Sequence, residues 1–261
     1  MDKNRSAILI TGAAKRMGRA ISFALGQAGY AIALHYQNSK EHAKQTQTEL
    51  QQQGIDTVLF QADLSDLNQV KRLADEVAQC FGARWLGVIN NASQFPYDRA
   101  DHFNWQQLSH LSQVNLAAPC ELAQQLYLHC QQHKTEGVVV NLLDQKIDNL
   151  NPDFFSYTLT KAALKSATQM QAQQFGASVR VCGVSPGMSN PTEYMSESVY
   201  QNAKSLSPLK RTNTMEDVAQ AVAFLVQANN ITGSILHVDA GQHLYASNRD
   251  VFFEAGGSEL V

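Results

Sequence analysis

The stretch ILITGAAKRMGRAISFAL, from Ile8 to Leu25, decides the fold. Ile8 to Ile10 form a short apolar run, as a buried strand does. Thr11-Gly12-Ala13-Ala14-Lys15-Arg16-Met17-Gly18 then reads as a tight turn that feeds a helix. Strand, glycine-bearing turn and helix together build a dinucleotide phosphate loop, because the exposed N–H groups and the helix dipole favour an anion there. It is not a Walker loop, since no GK[ST] follows, and it lacks the GxGxxG spacing of the commonest dinucleotide fingerprint. Arg16 stands where such loops usually keep a glycine. Taken alone, a turn of this kind also occurs with no ligand.

The same alternation runs outward through the chain. Strands are predicted at 7–11, 31–35, 57–61, 87–90, 137–142, 179–184 and 234–238. Helices are predicted at 17–28, 39–53, 66–80, 104–132, 154–175 and 215–228. Continuous apolar strands separated by helices imply a parallel sheet covered on both faces. The expectation is a single doubly wound α/β domain over residues 1–261, with a seven-stranded, mostly parallel sheet. Residues 186–212, rich in Pro, Ser and Asn, break the alternation as a functional lid does. The tail 241–261 carries Phe252 and Phe253, and either docks on a neighbouring subunit or is loosely ordered.

The formal net charge is −3, with Lys and Arg scattered, so an electrostatic nucleic-acid binder is excluded. Cys80, Cys120, Cys130 and Cys182 form no CxxC pair and no zinc-ligand spacing. They read as small buried hydrophobes in a reduced protein, with no metal site. The N-terminus MDKNRSAILITGAA has too short an apolar run for a signal peptide, and no apolar run is long enough to cross a membrane. A cytoplasmic protein is expected.

Strand ends carry the ligand chemistry in open α/β sheets. After the second strand an NAD site places an acid, which holds the ribose 2′-hydroxyl. Here the residues are His35-Tyr36-Gln37-Asn38-Ser39-Lys40, with no carboxylate. A 2′-phosphate would instead accept from Asn38, Ser39 and Lys40, with charge from Arg16, so NADPH is favoured over NADH. Asp63, ahead of Leu64, either accepts from the adenine amino group or caps the next helix. Asn90 and Ala92 lie where backbone must approach the cofactor. Tyr157 and Lys161 stand four residues apart, on one face of a helix. A lysine there lowers the tyrosine pKa and readies it to pass a proton.

These features resemble the short-chain dehydrogenase/reductase family, of Rossmann architecture, over nearly the whole chain. The matching residues are TGxxxxxG at 11–18, Asp63, Asn90-Asn91-Ala92, Asn115, Tyr157 with Lys161, Ser185-Pro186-Gly187, and Ile231-Thr232-Gly233. The resemblance implies Tyr157 as proton donor, Lys161 on the nicotinamide ribose, and Asn115 holding a relay water. It also implies cofactor contacts from Gly12, Lys15, Arg16, Met17, Gly18, Ser93, Pro186, Gly187 and Met188, and a homotetramer joined through the long helices. One position departs: where the family keeps a carbonyl-binding serine, 13 residues before the tyrosine, this chain has Asp144. An ionised carboxylate only accepts hydrogen bonds, so it suits a substrate with ring N–H donors or a nitrogen to be protonated.

Arg16, the His35-Tyr36 strand end, Ser93, Phe95, and Asp144 with Tyr157 and Lys161 resemble the pteridine reductase and dihydromonapterin reductase branch. That implies a flat pterin stacked on Phe95, with Arg16 and Ser93 reaching substrate and cofactor from one side. The expected reaction is NADPH-dependent reduction of a dihydropterin, with Tyr157 and Asp144 as proton source. Met188, Tyr194 and Met195 are expected in the closing loop. Two alternatives stand beside it: a carbonyl or 3-oxoacyl-thioester reductase, and a non-catalytic NADP(H)-binding regulator on the same fold.

Overall fold

The computed structural model describes residues 5–189 and 195–258. Seven strands form one sheet: β1 (Ala7–Ile10), β2 (Ala31–Tyr36), β3 (Thr57–Gln61), β4 (Trp85–Asn90), β5 (Gly137–Leu142), β6 (Val179–Pro186) and β7 (Ile235–Val238). Their order is β3-β2-β1-β4-β5-β6-β7, and every pairing is parallel, where a mostly parallel sheet was expected. The order reverses between β1 and β4, which opens a crevice at their carboxyl ends.

Strand side chains alternate between faces, so the two faces collect different residues. Ala7, Leu9, Ala31 and Ala33 join one core, and Ile8, Ile10, Ile32 and Leu34 the other. Helices α3 (Leu67–Phe81), α5 (Ala118–His133) and α6 (Phe155–Phe175) cover the first face through Leu73, Leu122 and Ala172. Helices α1 (Arg16–Gln27), α2 (Lys40–Gln52) and α8 (Met215–Gln227) cover the second through Ile21, Leu50 and Val222. Helix α8 opens with a capping box, in which Thr214 Oγ1 accepts from Asp217 N–H at 3.1 Å and Asp217 Oδ2 accepts from Thr214 N–H at 2.8 Å.

The structure corrects the expected helix 104–132. Helix α4 (Trp105–Ser112) passes into a π turn, Gln113–Ala117, before α5 begins. Pro119 has no N–H to give to the Asn115 carbonyl four residues back, and the turn widens. Ala118 N–H accordingly reaches the Gln113 carbonyl, five residues away. The stretch 186–212 is not all loop, for it holds α7 (Glu197–Leu206), whose start is capped by Ser196 Oγ accepting from Val199 N–H. The tail folds onto its own chain. Helix α9 (Val251–Glu254) lays Phe252, with Ala255 after it, against Val199 and Ala203 of α7. No helix among the described residues is long and apolar enough to cross a membrane.

Candidate active site

Backbone sterics shape the turn after β1. Gly12 has φ +62°, and a Cβ on Gly18 would lie 2.3 Å from the Gly12 carbonyl oxygen, so both positions require glycine. Asn91, just past β4, donates from its amide to the carbonyls of Thr11 and Gly12 at 2.8 and 3.2 Å. Thr11 Oγ1 accepts from the N–H groups of Asn91 and Ala92 at 3.0 Å each. The start of α1 is left bare: Lys15, its N-cap, makes no side-chain cap bond, and the first turn holds no acid. Arg16 takes φ +52°, the left-handed conformation that a glycine would supply. For a non-glycine residue this costs roughly 1–3 kcal/mol, which marks a constrained position. Its side chain is exposed and makes no ion pair among the described residues.

His35 does not face the ligand space as a donor. It is 1 % exposed, Nδ1 accepts from Gly12 N–H at 3.1 Å, and Nε2 meets the Ala62 carbonyl at 3.1 Å. Burial holds its pKa down at about 4, so it is a neutral post beneath the turn. Tyr36, Asn38 and Ser39 do line the cleft, and Ser39 makes no cap bond to α2. Asp63 accepts from Ser65 N–H and Oγ at 2.9 and 2.7 Å, which holds its carboxyl below the usual range. It closes a local turn, and the true cap of α3 is Asp66, which accepts from Asn68 and Gln69 N–H.

The cleft, about 650 Å³ in volume, runs from the turn at 12–18 past Leu64, Ala92 and Ser93 to Tyr157, Lys161, Pro186 and Gly187. The side chain of Asn90, where close backbone approach is expected, sits behind its wall. It is 2 % exposed, and its amide donates to Asn141 Oδ1 at 2.7 Å and the Pro119 carbonyl at 3.3 Å. Gly187 packs against Asp239, where a Cβ would come within 2.8 Å.

Tyr157 lies on the first turn of α6 with its hydroxyl donating to Asp144 Oδ2 at 2.8 Å. Asp144 Oδ1 in turn accepts from Lys146 N–H at 2.9 Å. Burial drives the Asp144 carboxyl above its ordinary range, so it tends to hold a proton. Burial, and then the Asp144 charge, push Tyr157 well above an ordinary tyrosine. The expectation that Lys161 lowers Tyr157 is therefore overturned. The Lys161 ammonium donates to the Leu142 carbonyl at 2.7 Å and stands 5.8 Å from the centre of the Tyr157 ring. Burial brings Lys161 itself down to about 8.

Asn115 is fully buried in the π turn. Its Oδ1 accepts from Gln94 N–H at 2.9 Å and Ser93 Oγ at 3.3 Å, and its amide donates to the Gln94 carbonyl and Thr160 Oγ1 at 3.0 and 3.2 Å. With those partners the side chain ties the 93–94 segment to α6 rather than presenting itself to a water.

A second cavity, of about 270 Å³, adjoins the cleft and shares Arg16, Met17, Asp144 and Gly187 with it. Phe95 lines it, 42 % exposed, with its ring stacked on Phe154 at 4.0 Å and edge-on to Tyr157 at 4.4 Å. Met188 and Met195 line it too, and Tyr194 lies outside the described residues.

Sequence reasoning missed several neighbours. Phe154 backs Phe95, and Val251 with Phe252 closes the cavity from the tail. Buried Asp98 caps α6, accepting from Ser156 N–H at 2.9 Å and from Ser156 Oγ, while its own carbonyl accepts from Phe155 N–H. Only Phe252 carried a signal, as an apolar residue in a polar tail. Asp98 is 58 residues from its partner and has no local signature.

A family model described as enoyl-(acyl carrier protein) reductase matches residues 12–243. The chain is 31 % identical to the crystal structure of FolM alternative dihydrofolate reductase 1 from Brucella canis, complexed with NADP. The superposition covers 94 % of this chain and 96 % of that one, at a TM-score of 0.85. The Brucella suis FolM structure, also with NADP, is 30 % identical over 95 % and 99 % of the two chains, again at 0.85. The 3-oxoacyl-[acyl-carrier-protein] reductase FabG of Staphylococcus aureus is 28 % identical over 247 residues, which are 93 % of this chain and all of that one. Matched along most of its length by sequence and by structure, the chain belongs to the short-chain dehydrogenase/reductase family of oxidoreductases.

Proposed function

We propose that the protein is an NADPH-dependent reductase of a dihydropterin. The bare start of α1, the glycines that admit a close backbone approach, and the lack of an acid after β2 all fit NADPH. The relatives crystallised with NADP support the same choice. Gly12, Lys15, Arg16, Met17 and Gly18 would hold the phosphates, and Asn38 and Ser39 the 2′-phosphate. Asp63 and Leu64 would flank the adenine, and Ala92, Ser93, Pro186, Gly187 and Met188 the nicotinamide half. Lys161 would bind the nicotinamide ribose. When bound, this cofactor supplies a hydride.

The Asp144–Tyr157 hydrogen bond carries the substrate assignment. A serine hydroxyl at this position would only donate to a ketone oxygen, whereas a buried carboxyl raised above its ordinary range can deliver a proton to a basic ring nitrogen. A ring nitrogen beside a C=N carbon needs a proton as that carbon takes hydride, and Tyr157 with Asp144 supplies it. Phe95 offers one ring face to a flat heterocycle, since the other is covered by Phe154. Arg16 and Ser93 would reach the ring from one side, and Met188 and Met195, which line the cavity, would help to exclude water.

The reading extends to assembly and place: a cytoplasmic homotetramer joined through α5 and α6. Exposed Leu128 and Met170 on those helices, beside the stacked Tyr127–Phe175 pair, support it.

A panel of NADPH-oxidation assays tests the proposal with dihydromonapterin, dihydrobiopterin, dihydrofolate and acetoacetyl thioester. The dihydropterins should be turned over at least ten times faster than the thioester, about 1.4 kcal/mol in transition-state free energy. The sequence likeness to FabG favours a second reading, a 3-oxoacyl-thioester reductase, which the opposite ranking would establish.

A further inference from the structure

The C-terminal segment after β7 is fastened far more firmly than a chain end requires. Arg249 Nε binds Asp153 Oδ2 at 2.8 Å, and the Asp250 N–H donates to that same oxygen at 2.8 Å. Asp153 is fully buried. The Asp250 carboxylate lies 3.0 Å from the ammonium of Lys146, a lysine 1 % exposed. Lys146 also donates to Asn151. Upstream, Ser247 N–H donates to Asn149 Oδ1 at 3.1 Å. Buried charges are costly unless they are paired and hydrogen-bonded, and these are both. Breaking one partner would leave an uncompensated charge, so the segment is held in one place.

That place is the cavity edge. Val251 and Phe252 line the same cavity as Phe95 and Asp144. Phe252 is 6 % exposed and wedged into α7, whereas Val251 is only partly buried. Val251 begins α9, and a β-branched side chain in a helix has one strongly preferred rotamer, so it makes a fixed boundary.

We infer that residues 250–252 form the specificity-determining wall of the substrate cavity, fastened through Arg249 to Asp153 and through Asp250 to Lys146, and that side-chain volume at Val251 sets how large a substituent the reacting ring can carry. This rests on the reading that the ring lies in the cavity beside Phe95.

The test compares kcat/KM for two dihydropterins with different substituents on one carbon, 6-methyl-7,8-dihydropterin and 7,8-dihydrofolate. Val251→Ala should move the large-to-small ratio up by about tenfold and Val251→Phe should move it down by about as much, the range that a few methylenes command in a pocket. Asp250→Asn, which leaves Lys146 without its counter-charge, should raise KM more than it lowers kcat and speed proteolytic cutting of the tail. Ratios unchanged in both Val251 variants would overturn the wall. If the wild type reduces neither dihydropterin, the substrate reading fails instead. The same two variants are then compared on short-chain and long-chain 3-oxoacyl thioesters, where the ratio again decides for or against the wall.

Discussion

The Tyr157 hydroxyl and the Asp144 carboxyl share a hydrogen bond 2.8 Å long at the junction of cleft and cavity. The tyrosine alone would be a poor proton source near neutrality, because burial holds its proton tightly, whereas the buried carboxyl, raised above its ordinary range, is the partner that can carry one to it. Together they keep one proton between them in a buried site. Tyr157→Phe should therefore cost at least a hundredfold in kcat with a small change in NADPH affinity. Asp144→Ser, which restores a hydroxyl donor, should lower dihydropterin turnover and raise turnover of a ketone or thioester. Steady-state kinetics on both substrate classes checks the pair.

Arg16 separates two effects that usually travel together. Its left-handed backbone is strained, and Arg16→Gly should relieve that strain and raise stability by up to about 1 kcal/mol. The same substitution removes the guanidinium, so the Kd for NADPH should rise about tenfold. Urea unfolding and fluorescence titration, run on one preparation, read the two outcomes independently.

His35 makes stability fall with acid. Its folded pKa is about 4 against 6.5 for an ordinary histidine, so between those values the unfolded chain binds a proton that the folded chain refuses. Stability should drop as pH falls from 6.5 toward 4 and this contribution should level off below 4. The loss is roughly 3 kcal/mol at about 1.36 kcal/mol per unit. His35→Asn, which keeps an acceptor for the Gly12 N–H, should flatten that part of the curve. Urea midpoints at pH 7 and pH 5 for the two proteins give the comparison.

Asp98 holds the start of α6, on the same turn as Tyr157, through Ser156. Asp98→Ala should destabilise the fold by roughly 1–3 kcal/mol, as loss of a buried cap and its partners does. Since the same loop carries Phe95, KM for the dihydropterin should rise as well. Asp98→Asn should recover most of the stability. Thermal melts and KM values measured side by side test both halves.

Much of the architecture was legible in the order of residues. Continuous apolar runs such as Ile8–Ile10 and Val138–Val140 have one comfortable place, inside a two-sided sheet, and all seven strands were predicted within about two residues. The helix expected at 104–132 is there in span, but its π turn was not foreseen, because periodicity is blind to a single missing N–H, and Pro119 supplies just that. Helix α7 was hidden by the Pro, Ser and Asn around it, since its stability comes from packing Val199 and Ala203 on Phe252, more than 40 residues onward. The site divides the same way. Tyr157 and Lys161 were readable from spacing and Asp144 from the family resemblance, but the sense of their coupling was not. Spacing brings Lys161 near the tyrosine, while three-dimensional packing spends its ammonium on the Leu142 carbonyl. His35 and Asn90 sit at the strand ends where ligands bind, yet both point into the scaffold.

Asn115 has a consequence for how the protein moves. Gln94 lies in a segment with no regular secondary structure, yet both its N–H and its carbonyl are paired with one side chain that is itself sealed in the interior. Hydrogen exchange should thus treat the Gln94 amide like an amide of the sheet, opening only when α4 and α5 separate from α6. With the ring seated as proposed beside Phe95, the floor beneath it would be a rigid plank, and the freedom needed to admit and release substrate would have to be found on the opposite rim.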